Sequence, residues 1–337
     1  MPVDSGKRFL RGRPTKEDQI IQFLIGQAGY FSGEEIARRL RISRTAVWNY
    51  IHNLKKLGFA IESLPHLGYK LVRSPDKLLP TLVSIGLKSN LIGNRIYHFD
   101  KVTSSSDEAD RFAKRGEPEG AVIIAEEQTA GRGRMGRTWH STAGKGVYLS
   151  VILRPSISPT RIPFLTLCAA ISVTDAIHGC TGLKAFVKWP NDVLISGKKV
   201  SGILSELSTE ADRINYAIVG VGINANNLRE DLPAGLSATS LKIETGRSIS
   251  RLELTRLFLR ILDENYALLL RGDYSELIEQ WLRVSATIGR RVRIETTTGR
   301  FREGVATGLD DDGCLLLRLD SGMTQRITGG DVYIVGM

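Results

Sequence analysis

The sequence predicts an α+β protein of several domains, because three kinds of pattern follow one another along its 337 residues. Residues 20–72 contain three helical patterns and one hairpin pattern. From about Pro75 apolar strand patterns alternate with helical ones, and after residue 286 only short alternating segments with turns remain. We therefore predict a basic flexible arm at 1–15, a helical domain at 16–75, a mixed α/β domain at 76–286 and a small all-β domain at 287–337.

The charge of the chain is unevenly distributed. The net charge is +10, and the first 73 residues hold 13 Lys or Arg against six Asp or Glu. This excess predicts an anionic partner for the N-terminal part.

Cys168, Cys180 and Cys314 are too few and too scattered for a disulfide framework or a zinc site. We find no signal-peptide pattern, and the apolar stretch 162–177 is interrupted by polar residues, so we expect a core helix, a cytoplasmic protein and no membrane partner.

Three helices are expected in the second predicted domain. The segment QIIQFLIGQAGY (19–30) is apolar and is predicted to end at Gly29. The segment SGEEIARRL (32–40) opens with a capping box of Ser32 and Glu35. The third, SRTAVWNYIHNLKKLG (43–58), begins at Ser43 as the N-cap and stops at Gly58. Its apolar face consists of Val47, Ile51 and Leu54.

Two short helices, a tight turn and a hairpin around Leu64–Gly68 are typical of a winged helix-turn-helix. In such a domain the third helix enters the DNA major groove with its N-terminal residues toward the base edges. The predicted DNA-binding residues are Ser43, Arg44, Thr45, Trp48 and Asn49, and His52 lies outside the apolar face. Phosphate contacts are expected from Arg41, Arg44, Lys55 and Lys56. Winged helices also dock proteins, but the local charge favours operator DNA as the partner.

The tetrapeptide RGRP (11–14) precedes this domain and resembles an AT-hook, in which extended arginines enter a narrow A·T minor groove. A basic tail without such insertion is the alternative explanation. One tetrapeptide does not decide between the two.

The hexapeptide GRGRMG (131–136) matches the G-x-G-x-x-G pattern of a dinucleotide-binding turn. That turn requires a helix directly after the glycines and an acidic residue about twenty residues later. Here a loop and a strand pattern follow, and no Asp or Glu occurs between Glu127 and Asp175. The context excludes a Rossmann turn. A glycine-rich loop with three arginines suits a triphosphate or, alternatively, a nucleic-acid surface.

Five segments in a fixed order add a family resemblance. They are VTSSSDEA (102–109), EQTAGRGRMGRTWHS (127–141), VKWPNDV (187–193), KKVSGILSE (198–206) and VGVGINAN (219–226). Together they resemble biotin protein ligases, and the winged helix makes the chain similar to the bifunctional members that also repress biotin genes. The resemblance implies a class II synthetase-like ligase domain that forms biotinyl-5′-AMP and pyrophosphate from biotin and ATP. It also implies transfer of biotin to one lysine of a biotin carboxyl carrier domain.

The resemblance implies that Lys199, Arg134 and Lys188 are catalytic. The reaction brings together two anions, a carboxylate and the α-phosphate, so fixed cations should dominate the site. Arg132 and Arg134 match family positions that hold the biotin carboxylate and the phosphates. Lys199 matches a lysine beside the reacting groups, and Lys188 matches a second cation in the same cavity. Without the motif, a lysine next to glycine on a strand edge would be interpreted as ordinary solvated charge.

The same resemblance supplies a biotin set. It consists of Ser104, Ser105, Ser106, Gln128, Gly131, Arg132, Arg134, Lys199 and Gly202. The neutral ureido ring of biotin needs hydrogen-bond partners in a mostly apolar pocket, which the serines and Gln128 would provide. Ser106 departs from the commoner STN pattern, and we expect a water in place of the missing amide.

The implied nucleotide set is Arg134, Arg137, Trp139, Asn191, Gly220 and Asn224. Trp139 would lie against the adenine, although an aromatic residue can also be part of a permanent core. Mg²⁺ is expected with the triphosphate, with Asn191 and Asp192 as the nearest protein oxygens, and we assign no protein metal ligands.

In this hypothesis residues 131–145, which we call the arginine loop, connect the ligase function with DNA binding. The guanidinium groups of the loop repel one another, so residues 131–145 are expected to be mobile without ligand and ordered by biotinyl-AMP. Ordering near a subunit contact would favour a homodimer and thereby DNA binding.

The C-terminal part completes the expected fold. Residues 251–286 have helical periodicity, and residues 287–337 are predicted to form a five-stranded SH3-like barrel with turns at TTTGR and DDDG. The barrel either helps close the nucleotide site and meets the carrier or is a structural cap. Two other functions compete: a non-catalytic biotin sensor, which Arg134 and Lys199 disfavour, and a lipoate-type ligase, which GRGRMGR and KWPND disfavour.

Overall fold

The computed structural model describes residues 7–10, 14–26, 29–210, 213–296 and 299–335. Three residues of the RGRP segment, 11–13, lie outside this range, so the AT-hook interpretation stays a prediction. Among the described residues one helix, within Pro159–Thr181, is long and apolar enough to cross a membrane, and 67% of its apolar window is buried inside the protein.

The N-terminal domain has the predicted three helices and hairpin. Its elements are α1 (Lys16–Ile25), α2 (Gly33–Leu40), α3 (Arg44–Lys56), β2 (Ala60–Leu64) and β3 (Gly68–Arg73), and they follow β1 (Lys7–Leu10), which belongs to the central sheet. The side chains of Ser32 and Ser43 cap α2 and α3 by accepting hydrogen bonds from Glu35 N–H and Ala46 N–H. Val47, Ile51 and Leu54 of α3 are buried, as predicted, and join a core with α1, α2 and β2. The helix-turn-helix and its wing are therefore confirmed.

The first helix differs from the prediction at both ends. It begins at Lys16 because Thr15 and Asp18 form a complete capping box, and it ends at Ile25 with Gly26 as the C-cap. The predicted start at Gln19 and end at Gly29 were wrong, because apolar periodicity marks the buried face of a helix and not its polar first turn.

Part of the predicted flexible arm is a strand. The backbone of Lys7–Leu10 pairs antiparallel with residues 95–98 in the central domain. A sheet edge leaves N–H and C=O groups unpaired, and an adjacent extended segment of almost any sequence can satisfy them. Such pairing does not depend on a side-chain pattern, which is why the sequence did not indicate it.

The central domain contains α4 (Pro80–Ser84), β4 (Arg95–Phe99), α5 (Ser105–Lys114), β5 (Ala121–Ala125), β6 (Val147–Leu153), α6 (Pro163–Thr181), β7 (Phe186–Lys188), β8 (Asp192–Ile195), β9 (Lys198–Glu210), β10 (Arg213–Ile223), α7 (Leu241–Thr245), α8 (Arg251–Arg271) and α9 (Tyr274–Arg283). The sheet order is β1-β4-β5-β6-β10-β9-β8-β7, with β4 and β5 parallel and the other neighbours antiparallel. This mixed sheet, flanked by helices, is the predicted α/β domain.

Helices cover both faces of the sheet. Val122 and Ile124 of β5 point into a core with α6 and α8, whereas Ile123 between them joins a second core with α5. This alternation follows from the two-residue period of a strand. The long apolar helix α6 is thus a core helix, as the sequence predicted.

The C-terminal domain consists of β11 (Arg291–Glu295), β12 (Phe301–Leu309), β13 (Leu315–Arg318), β14 (Thr324–Ile327) and β15 (Asp331–Ile334). Its sheet is antiparallel throughout, in the order β14-β13-β12-β11-β15. The predicted turn DDDG falls between β12 and β13. The segment TTTGR lies between β11 and β12, and its residues 297 and 298 are outside the described part of the chain. The five-stranded domain and the α+β class are confirmed.

A buried ion pair fixes the linker, residues 76–78, which leads from the winged helix into the central domain. The guanidinium of Arg251, at the start of α8, is fully buried and donates to Glu126 Oε2 at 2.8 Å, Gly146 O at 3.1 Å and Asp76 O at 2.6 Å. Glu126 Oε1 accepts the Leu78 N–H at 2.7 Å. One ion pair therefore connects the residues on either side of the arginine loop to the segment that leads to the winged helix.

Candidate active site

A cavity of about 1040 Å³ opens between the N-terminus of α5, the strands β8–β10, the loop 131–140 and β15 of the C-terminal domain. All residues predicted to bind biotin or nucleotide line it except Gly131, which is buried next to Gln128 and Trp139. Residues as distant in sequence as Ser104 and Tyr333 meet here. The fold therefore brings the predicted set together, although the role of each residue stays a prediction.

The loop between β5 and β6 has the form of an irregular hairpin. The N–H of Gly133 donates to Arg137 O at 2.7 Å, and the N–H of Trp139 donates to Gly131 O at 2.8 Å. A short 3₁₀ turn, Arg134–Gly136, forms the tip, and no helix follows it. The exclusion of a Rossmann turn is confirmed.

Glycines make room for the indole of Trp139 on the sheet. Gly202 and Gly222 are directly paired on β9 and β10. A Cβ at Gly222 would lie 2.3 Å from Trp139 Nε1, and one at Gly202 would lie 3.0 Å from Cζ3 of the same ring. Any larger residue would displace the ring. Trp139 Nε1 is buried against Gly222 without a hydrogen-bond partner.

Polar side chains cluster at the start of α5. Ser104 caps this helix, and its Oγ accepts the Ser106 N–H at 3.2 Å. The N–H of Ser105 donates to Gln128 Oε1 at 2.7 Å. The hydroxyls of Ser105 and Ser106 lie 2.8 and 3.1 Å from that of Ser150. These serines are buried, so the network presents a preorganised set of hydrogen-bonding groups to the cavity.

Each arginine of the loop has partners from another part of the chain. Arg132 forms ion pairs with Asp107 at 2.9 Å and Glu206 at 2.6 Å. Arg137 forms an ion pair with Asp331. The predicted repulsion between the guanidinium groups is therefore offset by carboxylates that the local sequence lacks.

Arg134 has different surroundings from the other two arginines. Its Nη1 donates to Asn191 Oδ1 at 3.1 Å and Gly330 O at 3.2 Å. Burial lowers the pKa of this guanidinium, since desolvation disfavours its charge. A partly desolvated cation held by neutral acceptors is well placed to bind an anion strongly.

Two lysines converge on Asp192. Lys199 Nζ lies 2.5 Å from Asp192 Oδ1, and Lys188 Nζ lies 3.1 Å from Oδ2. Burial by itself would raise the pKa of Asp192, but the two ammonium groups outweigh it and hold that pKa below its ordinary value. Lys199 Nζ also lies 5.5 Å from the centre of the Trp139 ring. Two fixed ammonium groups thus face the same part of the cavity.

Both predicted asparagines have structural partners. Asn191 donates to Ile203 O at 2.9 Å and Asn224 donates to Thr239 O at 3.0 Å. The nearest oxygens for Mg²⁺ are already hydrogen-bonded to cations, Asn191 Oδ1 to Arg134 and Asp192 to its lysines. Within the described residues, no group of three or more His, Cys, Asp or Glu side chains could hold a metal ion. The side chains here do not fit a preformed magnesium site.

Sequence reasoning missed several residues of the site. Ser150 was detectable, because it is the one polar residue in the buried strand VYLSVIL. The cavity residues Leu232, Leu236 and Tyr333, and the acid Asp331, carry no such signal, because only the tertiary fold brings them near the motifs. Glu206 ends the segment KKVSGILSE, but its pairing with Arg132 is visible only in the fold.

The predicted DNA-binding residues share one exposed surface of α3. Ser43, Arg44, Thr45, Trp48 and Asn49 are all exposed, as are His52, Lys55 and Lys56. Lys55 Nζ lies 3.0 Å from Ser63 Oγ in β2 and thereby ties this surface to the wing. The arrangement matches a recognition helix beside a wing.

Comparisons with known proteins cover all three domains. Residues 16–70 match an HTH domain, residues 98–224 match the biotin/lipoate A/B protein ligase family, and residues 287–335 match the biotin protein ligase C-terminal domain.

Individual proteins match over nearly the full length. The bifunctional ligase/repressor BirA of Bacillus subtilis is 38% identical, over 96% of this chain and 99% of its own. The protein of the same name from Escherichia coli is 28% identical over 92% of this chain and 95% of its own. The solved biotin protein ligase from Aquifex aeolicus in complex with biotin and ATP superposes with a TM-score of 0.62 and 29% identity, over 71% of this chain and 97% of its own.

Proposed function

The chain belongs to the biotin protein ligases of the bifunctional ligase/repressor type, and we propose that the cavity described above is where it joins biotin to ATP. The protein forms biotinyl-5′-AMP and pyrophosphate, and it passes the biotinyl group to a lysine of a carboxyl carrier domain. Its helix-turn-helix domain makes it a DNA-binding, biotin-responsive repressor as well. The observation that supports the location of catalysis most is the convergence of Arg134, Lys188 and Lys199 on one cavity.

We assign the charge stabilisation of the first reaction to these three cations. A carboxylate oxygen of biotin attacks the α-phosphorus, and the bond to pyrophosphate breaks. Both reactants are anions, so their approach costs electrostatic energy unless cations are fixed between them. Asp192 holds both ammonium groups in place, so little reorganisation is needed when the reactants bind.

The biotin ring is proposed to bind at the start of α5. The buried hydroxyls of Ser104, Ser105 and Ser106, together with Gln128, are donors and acceptors for a ureido group. Ser106 is fixed by its hydrogen bond to Ser150. Its Oγ packs so closely on Gly220 that a Cβ added there would lie only 2.7 Å away, so the backbone of β10 fills the space on that side of the hydroxyl. The valerate chain would then run along Gly202 toward Arg132 and Lys199.

The nucleotide is proposed to bind between the loop and β15, with its adenine against Trp139. Arg134 and Arg137 would face the phosphates, and Asn191 and Asn224 would border the base. Anionic phosphates must share or displace the carboxylates that now hold Arg137 and Arg132. Since the protein oxygens are taken by cations, magnesium would enter bound to the phosphates.

We propose that the liganded protein forms a homodimer and that it acts in the cytoplasm, where ATP, carrier domains and operator DNA meet.

In the transfer reaction, the amine of the acceptor lysine attacks the acyl carbon and AMP leaves. The C-terminal domain contributes β15 to the cavity, so the carrier would approach beside it.

Biotin-dependent exchange of labelled pyrophosphate into ATP tests the proposed site. We expect exchange with biotin and none with lipoate, and we expect a biotinyl-AMP peak in the mass spectrum of the reaction mixture. The matched pair Lys199→Ala and Lys198→Ala locates the reaction, because of these two neighbouring lysines Lys199 lines the cavity and Lys198 does not. Exchange with lipoate alone would contradict the proposal, and so would full exchange by Lys199→Ala.

A further inference from the structure

An indole lies on the surface of the recognition helix. Trp48 is in the first half of α3, and 57% of its surface is exposed. Burying a large aromatic side chain is favourable, so an exposed one on a helix that has a complete apolar face of its own has no role in the domain core. Trp48 is therefore available to a partner of the domain.

The ring of Trp48 is held in a defined orientation. His52, one helical turn further on, stacks on it with ring centroids 5.5 Å apart and an angle of 3° between the planes. Side chains four residues apart meet on the same helix face. The stack restricts the rotamers of both rings, so the indole is oriented before it binds, and less conformational entropy is lost on binding.

The neighbours of Trp48 indicate what it would contact. Arg44, Thr45 and Asn49 surround it and are exposed, and the exposed lysines Lys55 and Lys56 lie at the far end of the helix near the wing. Polar and cationic groups of this kind contact base edges and phosphates in the major groove. Trp48 is the apolar member of this surface.

We propose that the indole of Trp48 contacts the C5-methyl group of a thymine and so specifies A·T pairs in the operator. In the major groove each base pair presents hydrogen-bonding groups, and thymine alone adds an apolar group. An oriented apolar ring gains more free energy where it covers that methyl group than where it faces the polar edge of another base. The inference rests on the proposed DNA-binding function and adds the base that one side chain reads.

The test replaces single methyl groups in the DNA. Duplexes are first selected from a random library with the full-length protein in the presence of biotin and ATP. Each thymine of the selected site is then changed to deoxyuridine, which removes only the C5-methyl group, and the Kd is measured. With the wild-type protein we expect about fourfold weaker binding at one or two positions of each half-site, the effect of one buried methyl group.

Variants assign this effect to Trp48. The variant Trp48→Ala should bind the thymine and uracil duplexes equally at those positions, and Trp48→Phe should keep part of the difference. The control Lys56→Ala should bind more weakly and with a smaller salt dependence but keep the full difference, because it would lose a phosphate contact. Ligase activity and thermal unfolding of each variant report on folding.

The outcomes separate the inference from the function on which it rests. If the library yields no enriched duplex, the DNA-binding function itself fails. If duplexes are enriched but no thymine-to-deoxyuridine change weakens the Kd, the inference about Trp48 is wrong while the DNA-binding function stands. An equal uracil effect in wild type, Trp48→Ala and Trp48→Phe also overturns it, and a change in oligomeric state instead would assign Trp48 to a protein contact.

Discussion

Asp192 is the residue on which the two predicted catalytic lysines converge. Its carboxylate is half-buried and lies within 3.1 Å of both Lys188 Nζ and Lys199 Nζ. The motif KWPND contains Asp192 as well as Lys188, but the sequence does not show that Lys199 of KKVSGIL shares this carboxylate, because it is strand pairing between β8 and β9 that brings the two motifs together. At the residue scale the sequence predicts the cations well, since they are part of local motifs, and misses the ion pairs that join them to carboxylates of other segments.

The first prediction concerns Lys199. We expect Lys199→Ala to lower the rate of biotinyl-AMP formation by about 10²–10³-fold, because one cation at the developing charge is lost. Biotin binding by calorimetry and the unfolding curve should change little. Lys198→Ala, which removes an exposed charge next in sequence, should retain the wild-type rate. A Lys199→Ala enzyme with normal single-turnover kinetics would remove this residue from the mechanism.

Ser150 gives a second prediction at the residue scale. It lies inside a buried strand and hydrogen-bonds the hydroxyls of Ser105 and Ser106. We expect Ser150→Ala to raise the KM for biotin about fivefold or more with little change in kcat, since two hydroxyls lose the partner that orients them. Ser172→Ala removes an equally buried hydroxyl in α6 and should leave the KM unchanged. Equal effects of the two substitutions would show that Ser150 has only a structural role.

At the scale of elements, the cavity is a junction of segments from two domains. The loop between β5 and β6 contributes the arginines, β9 and β10 contribute the glycines, and β15 closes one side. Helix and strand types were predictable from periodicity. The start of α1 and the pairing of β1 were not, because a capping box and a sheet edge act through backbone groups.

Glu126 and Arg251 provide a pH prediction at this scale. Burial would raise the pKa of Glu126, but His98, Arg251 and the Leu78 N–H outweigh it and lower that pKa from 4.5 to about 2. The lowered pKa stabilises the fold above pH 4.5 by about 3 kcal/mol, and this contribution is lost as the pH falls from 4.5 to about 2.

Urea unfolding of wild type and Glu126→Gln at a series of pH values checks this prediction. The difference in unfolding free energy should be about 3 kcal/mol at pH 7 and should shrink below pH 4.5. Glu127 supplies the control, because its carboxylate is only half-buried and pairs with the exposed Lys101, so Glu127→Gln should follow the wild-type curve closely. A difference that stays constant from pH 6 to pH 3 would contradict the assigned ion pair.

At the scale of the whole molecule, the buried ion pair of Arg251 connects the ends of the arginine loop to the linker of the winged helix. The order and type of the three domains were predictable, because each has its own hydrophobic pattern. The contacts between them were not, since Asp76, Glu126 and Arg251 lie far apart in sequence and none belongs to a motif.

This connection leads to a prediction for assembly. We expect biotin and ATP together to shift the protein from monomer to dimer and to raise its operator affinity, as biotinyl-AMP orders the loop. Sedimentation velocity with and without the two substrates measures the shift. Lys199→Ala, which should not form the intermediate, should stay monomeric unless biotinyl-AMP itself is added. An unchanged monomer fraction and operator affinity in the wild type would exclude the coupling.

The central claim is that one cavity makes biotinyl-AMP and transfers biotin to a carrier. The most direct measurement incubates the protein with a biotin carboxyl carrier domain, ATP and Mg²⁺, with equal concentrations of biotin and lipoate, and determines the mass of the carrier. We predict one biotinyl group on a single lysine and no lipoyl group. An unmodified carrier, or a carrier bearing lipoate, would contradict the assignment.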